Sequence, residues 1–131
     1  MSDIEAIMRM APVIPVLVVE NVADAVPIAE ALVAGGLPVL EVTLRTAAAL
    51  DVIRAMKTVP GAVVGAGTVL NPSDLDASLG AGAEFIVSPG LTANLAGAVA
   101  KAKVPFLPGT ANASDIMLGL ERDEEESPNK M

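Results

Sequence analysis

Five times along this chain a short run rich in Val, Ile and Leu gives way to a polar or glycine-containing turn, then to an alanine-rich stretch with helical spacing. That alternation limits the fold more than any other feature. Strands that are apolar on both faces need cover on both, so repeated βα units predict a parallel sheet wrapped by helices, with right-handed crossovers. The expected strands are Val13 to Val19, Val39 to Leu44, Ala62 to Gly67, Glu84 to Val87 and Val104 to Leu107. The first helix is expected from about Asp24, as N-cap, to Val33, with Pro27 in its first turn and Gly35-Gly36 ending it. Thr46 is read as the cap of a helix reaching Met56, and "NPSD" as a helix start with Asn71 as N-cap and Pro72 at the first helical position. Pro-Gly turns follow the last two strands, at Pro89-Gly90 and Pro108-Gly109.

Two architectures fit such a pattern, the open doubly wound sheet and the closed (βα)8 barrel. The first calls for a glycine fingerprint after a strand, and "GAGTVL" has Gly65 and Gly67 but Leu70 where a third glycine belongs. Close backbone packing at a strand end is the better reading of those glycines. At 131 residues and 53% hydrophobic, the chain has material for one folded domain. Its formal charge of −8 and only eight Lys and Arg residues argue against nucleic acid as a partner. The stretch "APVIPVLVV" is about half of the roughly 20 residues needed to span a membrane. The opening "MSDIEAIMRM" does not read as a signal peptide, so a soluble, cytoplasmic protein is expected.

The residue types that are missing narrow the chemistry. With no His and no Cys, the chain has neither imidazole catalysis nor thiolate nucleophiles, and no histidine metal site, iron–sulfur ligation or disulfide. With no Tyr and no Trp, no phenol acts as an acid and no indole stacks on a ligand. Carboxylates, amines, guanidinium groups and hydroxyls remain.

In "VLEVTLRT", Val39 to Thr46, alternation puts Glu41, Thr43 and Arg45 on one face and Leu40, Val42 and Leu44 on the other. The apolar set suits the helices, so the polar set faces the barrel interior or its mouth, where a charge must be paired or functional. At about 3.3 Å per residue, Glu41 and Arg45 stand about 13 Å apart along the strand. An internal ion pair and a catalytic site both remain open on spacing alone. The C-terminal strand ends are where barrel enzymes keep their catalytic groups, which favours the site.

The succession "PVLVVE", "ALVAGGLPVLEVTLRT", "VPGAVVGAGTVLNP", "EFIVSPGLT" and "PFLPGTANASDIMLGL" resembles the 2-keto-3-deoxy-6-phosphogluconate aldolase family, the KDPG and KHG aldolases, from Met8 to about Leu120. The resemblance implies a TIM barrel, usually a homotrimer. It implies reversible cleavage of a 2-keto-3-deoxy-6-phospho sugar acid, or of 4-hydroxy-2-oxoglutarate, to pyruvate and an aldehyde. It also implies class I chemistry through a lysine Schiff base, with no metal and no cofactor. Glu41 then resembles the general acid/base, Arg45 the residue gripping the substrate carboxylate, and Thr68 a second pyruvate contact. Pro89, Gly90 and Gly109 are expected to shape the pocket wall, although turn geometry alone accounts for these three. Thr68 read plainly is a hydroxyl capping the turn before Asn71.

After "IMLGLE" the family continues into a sixth strand, typically "FKFFPA", with the Schiff-base lysine; here the chain reads "RDEEESPNKM". The expected organisation is therefore a partial, open (βα)8 barrel of about five units over residues 1–120, and an acidic, disordered tail over 121–131. Lys57, Lys101, Lys103 and Lys130 all fall away from a C-terminal strand end. Two readings follow. One is an aldolase by descent, inactive as this chain alone. The other is a non-catalytic barrel fragment that self-associates through its open edges, with Glu41 and Arg45 as relics. A third makes it a carboxylate–magnesium lyase using Glu20 and Glu41.

Overall fold

The computed structural model describes residues 3–126. In chain order the elements are α1 (Asp3–Met8), β1 (Val16–Leu17), α2 (Ala25–Ala34), β2 (Val39–Thr43), α3 (Ala49–Met56), β3 (Val63–Gly67), α4 (Pro72–Gly80), β4 (Ile86–Ser88), α5 (Ala93–Ala102), β5 (Phe106–Pro108) and α6 (Ala113–Glu126), with a 3-10 turn at Val22–Asp24. All neighbouring strands pair in parallel, and the order across the sheet is the order in the chain, β1-β2-β3-β4-β5. A doubly wound sheet reverses its order at a switch point, and this one does not. With right-handed crossovers, adding every strand on the same side keeps every helix on one face, which is the winding of a barrel wall. The chain forms five βα units of that wall.

The two faces of the sheet divide as period-two alternation predicts. Leu40, Val42, Val64, Ala66 and Ile86 join the helix residues Val52, Ile53, Met56, Leu75, Leu95 and Val99 in one hydrophobic core. Val39 and Phe85 are equally buried but stand outside that cluster, on the inner face with Glu41.

β1, β2 and β3 lie inside their expected runs and are shorter than them, while β5 ends at Pro108, one residue beyond the expected Leu107. β4 is shifted to end at Ser88 rather than Val87. The largest loss is in β1, two residues where seven were expected. Pro15 interrupts that run and Pro12 immediately precedes it, and neither can donate to a ladder. β1 also has one paired neighbour, through Val16 opposite Glu41 and Leu17 opposite Val42.

Helix ends show where local sequence decides structure. After α2, Gly36 takes a φ of 92°, while Leu37 N–H donates to Leu32 O at 2.9 Å and Gly36 N–H to Val33 O at 3.1 Å. That is the Schellman pattern, with Gly36 rather than Gly35 as the left-handed residue. At the other end of α2, Asp24 makes no side-chain cap; Asn21 instead caps the preceding 3-10 turn, accepting from Ala23 N–H at 3.0 Å. Pro27 does lie in the first turn of α2. Asn71 caps α4 as expected, accepting from Asp74 N–H at 2.8 Å, and Asp74 returns the bond by accepting from Leu70 N–H at 3.1 Å. The same pair of bonds recurs before α6, where Asn112 accepts from Asp115 N–H at 3.0 Å and Asp115 accepts from Ala111 N–H at 3.1 Å.

Two expectations are corrected. Thr46 does not cap α3, whose N-cap is Ala48; its hydroxyl donates to Val19 O at 3.0 Å and ties the β2–α3 turn to the end of β1. The stretch from 121 is not unstructured from its start, because α6 continues through Leu120 to Glu126. The rest of the expected tail, 127–131, and Lys130 with it, lies outside the described residues. Helix α1 had no counterpart in the sequence reading. Among the described residues no helix is long and apolar enough to cross a membrane.

Candidate active site

The C-terminal ends of β2, β3 and β4 bring the sequence-predicted residues to one end of the sheet. Glu41 is in the middle of β2, half-buried on the inner face. It forms no hydrogen bond or ion pair with another described residue, and its burial raises the carboxyl's pKa above the ordinary value of 4.5. Desolvation alone does this, since no neighbouring charge or donor favours the ionised form. A carboxyl shifted upward by a dry setting holds its proton to higher pH than a solvated one, which suits it to giving and taking a proton.

Arg45 lies two residues beyond the end of β2 and is exposed. The strand's alternation does not extend to it. No ion pair joins it to Glu41, so the internal pair allowed by the sequence is not formed. Thr43, between them, is 2% exposed and donates from its hydroxyl to Leu17 O at 3.2 Å, cross-linking β2 to β1 beneath the mouth.

Thr68 follows the last residue of β3 with a φ of 60°. For a β-branched residue that left-handed conformation is strained, by about 1–3 kcal/mol, and such strain persists where the surroundings impose it. Its hydroxyl does not cap the turn before Asn71, since it has no hydrogen-bond partner in the described chain and the capping is done by Asn71 and Asp74. It stands half-exposed at the strand end.

Pro89 and Gly90 follow β4 and, with Leu70, Ser88, Thr92 and Leu95, line a shallow, mostly apolar cavity of about 280 Å³. Gly109 does not line it; a Cβ at Gly109 would collide with the Pro89 backbone, so the glycine allows the β5 end to pack against that turn. Its N–H donates to Ser88 O at 2.8 Å. The cavity and the Glu41 carboxyl are separate features: Glu41 is not among the cavity's lining residues. The chemistry resides with the carboxyl, because the cavity wall carries only hydroxyls and backbone as polar groups.

The described lysines sit at the opposite end of the sheet. Lys57 follows α3 and places its Nζ 3.9 Å from Glu84 Oε1, and Lys101 and Lys103 close α5, ahead of β5. None reaches a C-terminal strand end. Among the described residues no three His, Cys, Asp or Glu side chains converge as a metal-binding group.

Sequence reasoning did not find Gly67 and Phe85 as residues of this site. The Glu41 carboxyl lies over Gly67, and the Phe85 ring lies over Gly65. The signal available was the i, i+2 spacing of the glycines in "GAG", which places both on one strand face.

The fold and the site together define one class: a (βα)8-type wall with an unpaired, half-dry carboxyl among its C-terminal strand ends. Residues 4–125 match the KDPG and KHG aldolase family. The chain is 65% identical over 121 residues to 2-dehydro-3-deoxy-phosphogluconate aldolase of Zymomonas mobilis, covering 92% of this chain and 58% of the relative. It is 53% identical over 121 residues to the KHG/KDPG aldolase of Escherichia coli K12, covering 92% of this chain and 57% of the relative. A crystal structure of the Zymomonas mobilis ZM4 aldolase with 3-phosphoglycerate superimposes with a TM-score of 0.90 at 64% identity, over 92% of this chain and 58% of that one. The Legionella pneumophila KDPG aldolase, with pyruvate captured as a covalent carbinolamine, superimposes with a TM-score of 0.87 at 43% identity, over 92% of this chain and 59% of that one. The chain belongs to the KDPG and KHG aldolase family, and it spans somewhat under three fifths of the length of these relatives.

Proposed function

We propose that this chain serves the reversible aldol cleavage of 2-keto-3-deoxy-6-phosphogluconate, or of 4-hydroxy-2-oxoglutarate, to pyruvate and an aldehyde. Its part is the acid–base and carboxylate-binding side of the site. The observation that carries this is Glu41: a raised, unpaired carboxyl on the inner face of a wall that superimposes on KDPG aldolases. Glu41 moves protons as the substrate carbonyl is attacked and the carbon–carbon bond breaks. Arg45, exposed and free of partners in the described chain, receives the substrate carboxylate with its planar fork of donors. Thr68 and Pro89 contact the keto acid from the ends of β3 and β4. No metal or cofactor is called for. The working protein is read as a cytoplasmic homo-oligomer, a trimer as the family resemblance implies.

A carbinolamine requires an amine, and the described lysines lie at the far end of the sheet. The test therefore has two arms. In the first, the chain is incubated with pyruvate and borohydride, and its intact mass is measured. Lys57, Lys101 and Lys103 are expected to remain unmodified. In the second, pyruvate release from KDPG is assayed after mixing the chain with the separately produced remainder of the Zymomonas mobilis relative. Release by the mixture, lost in Glu41→Gln and weakened at the KM level in Arg45→Ala, supports the proposal. A folded, associated mixture whose activity survives Glu41→Gln overturns it.

A further inference from the structure

In the β2–β3 register Glu41 stands opposite Gly65, and Thr43 stands opposite Gly67. Both glycines share the inner face with Glu41, and a neighbour's side chain covers each. A Cβ on Gly65 would run into the ring of Phe85, which is 1% exposed. A Cβ on Gly67 would run into Glu41 itself, whose Cγ, Cδ and Oε2 all lie over that residue. The side chain thus leans from the level of Gly65, opposite its own Cα, toward Gly67 and the mouth. Neither glycine has a positive φ, so the backbone does not require glycine at 65 or 67; the space does.

We propose that Gly67 and Phe85 are positioning residues for Glu41. The Phe85 ring over Gly65 closes the level at which the glutamate leaves its strand, and the bare Gly67 receives the carboxyl at the mouth, next to Thr68. What this does for a reaction rests on reading Glu41 as the proton carrier; the geometry stands without it. Placement by shape has a chemical consequence. A carboxylate fixed by hydrogen bonds has its lone pairs occupied and its proton affinity lowered. Glu41 is held with no hydrogen bond from the described chain, so its oxygens stay available to exchange a proton.

The experiment is a stability cycle on the full chain, with carboxyl NMR as the second readout. Gly67→Ala is expected to lower the urea midpoint in the parent and to leave it nearly unchanged in a Glu41→Ala background, where no carboxyl is left to collide. If Gly67→Ala alone does not fold, recovery of folding in the double variant is the same result. Equal damage in both backgrounds overturns the proposal. In carbon-13 spectra the Glu41 resonance, assigned through Glu41→Gln, is expected to titrate above 4.5 in the parent. It is expected to shift down toward that value in folded Gly67→Ala and in Phe85→Leu. The control Gly80→Ala, where an added Cβ meets nothing, leaves the midpoint in place. A midpoint unmoved in folded Gly67→Ala overturns the role of Gly67, and one unmoved in Phe85→Leu removes Phe85. Neither readout uses catalysis, so failure of the aldolase reading would leave both results interpretable.

Discussion

Strands β2 and β3 pair over five residues, from Val39 opposite Val63 to Thr43 opposite Gly67, whereas β1 pairs over two. The difference is not one of apolar content, since "VIPVLVV" is as hydrophobic as "VLEVT". It is one of neighbours. Val39, Leu40 and Val42 are fully buried, but Val13, Val16 and Val18 on the β1 run are 57%, 61% and 52% exposed. The apolar runs of β2 and β3 are flanked by strands on both sides and covered by helices, and they pair over five residues. Where one side is open and prolines interrupt the donors, the same composition gives a short strand with bare valines. The residues proposed for chemistry follow the same division. Glu41 lies in the fully paired centre, where burial can act on its proton.

The comparison predicts a ranking of effects. Leu40→Ala, in the centre, should destabilise by roughly 2–5 kcal/mol through lost transfer energy and the cavity left behind. Urea denaturation checks this, and a loss below about 1 kcal/mol would mean that the centre repacks as freely as an edge. Asn71→Ala removes a cap that serves one helix and should cost about 1 kcal/mol by the same measurement. Glu41→Gln should change a slope. The folded protein holds the Glu41 proton more tightly than the unfolded chain, so the parent carries this favourable contribution in full below pH 4.5. It is lost as pH rises through the raised folded value. Relative to the parent, Glu41→Gln should therefore gain stability across that window and then level off, as urea midpoints against pH would show. A flat difference would mean that the carboxyl is as well solvated folded as unfolded. Val16→Thr, on the open edge, should stay within about 0.5 kcal/mol. A larger loss would show that β1 is covered in solution.

The parts of this fold that were legible in the sequence are those decided locally. Asn71 and Pro72 mark a helix start because the cap needs only the next three residues, and Asn71 does bond to Asp74. The alternation of Leu40 and Val42 against Glu41 was legible because a strand's period is fixed by its own pleat. Thr46 was misread because its hydroxyl had a distant alternative: Val19 O, 27 positions away, took the bond that a local cap would have used. Arg45 was placed by a strand period that stops at Thr43. At the site, Glu41 stood out because a lone acid in an apolar run is conspicuous. Its resting place on Gly67 did not, because only the β2–β3 register brings residues 41 and 67 together.

The end of β3 places two residue types against their backbone preferences. Gly67 has an ordinary conformation that any residue could adopt, while Thr68, β-branched, takes the left-handed one. Selection for stability alone would exchange them, with glycine relieving the strain at 68 and a larger side chain adding contact at 67. That exchange would displace the Glu41 carboxyl and remove the hydroxyl at the mouth. Variants enriched only for thermal robustness would drift toward this exchange and trade the site away, while a screen that also demands keto-acid turnover would hold both positions. The dipeptide Gly67-Thr68 thus offers a marker of which pressure has acted on a descendant of this chain.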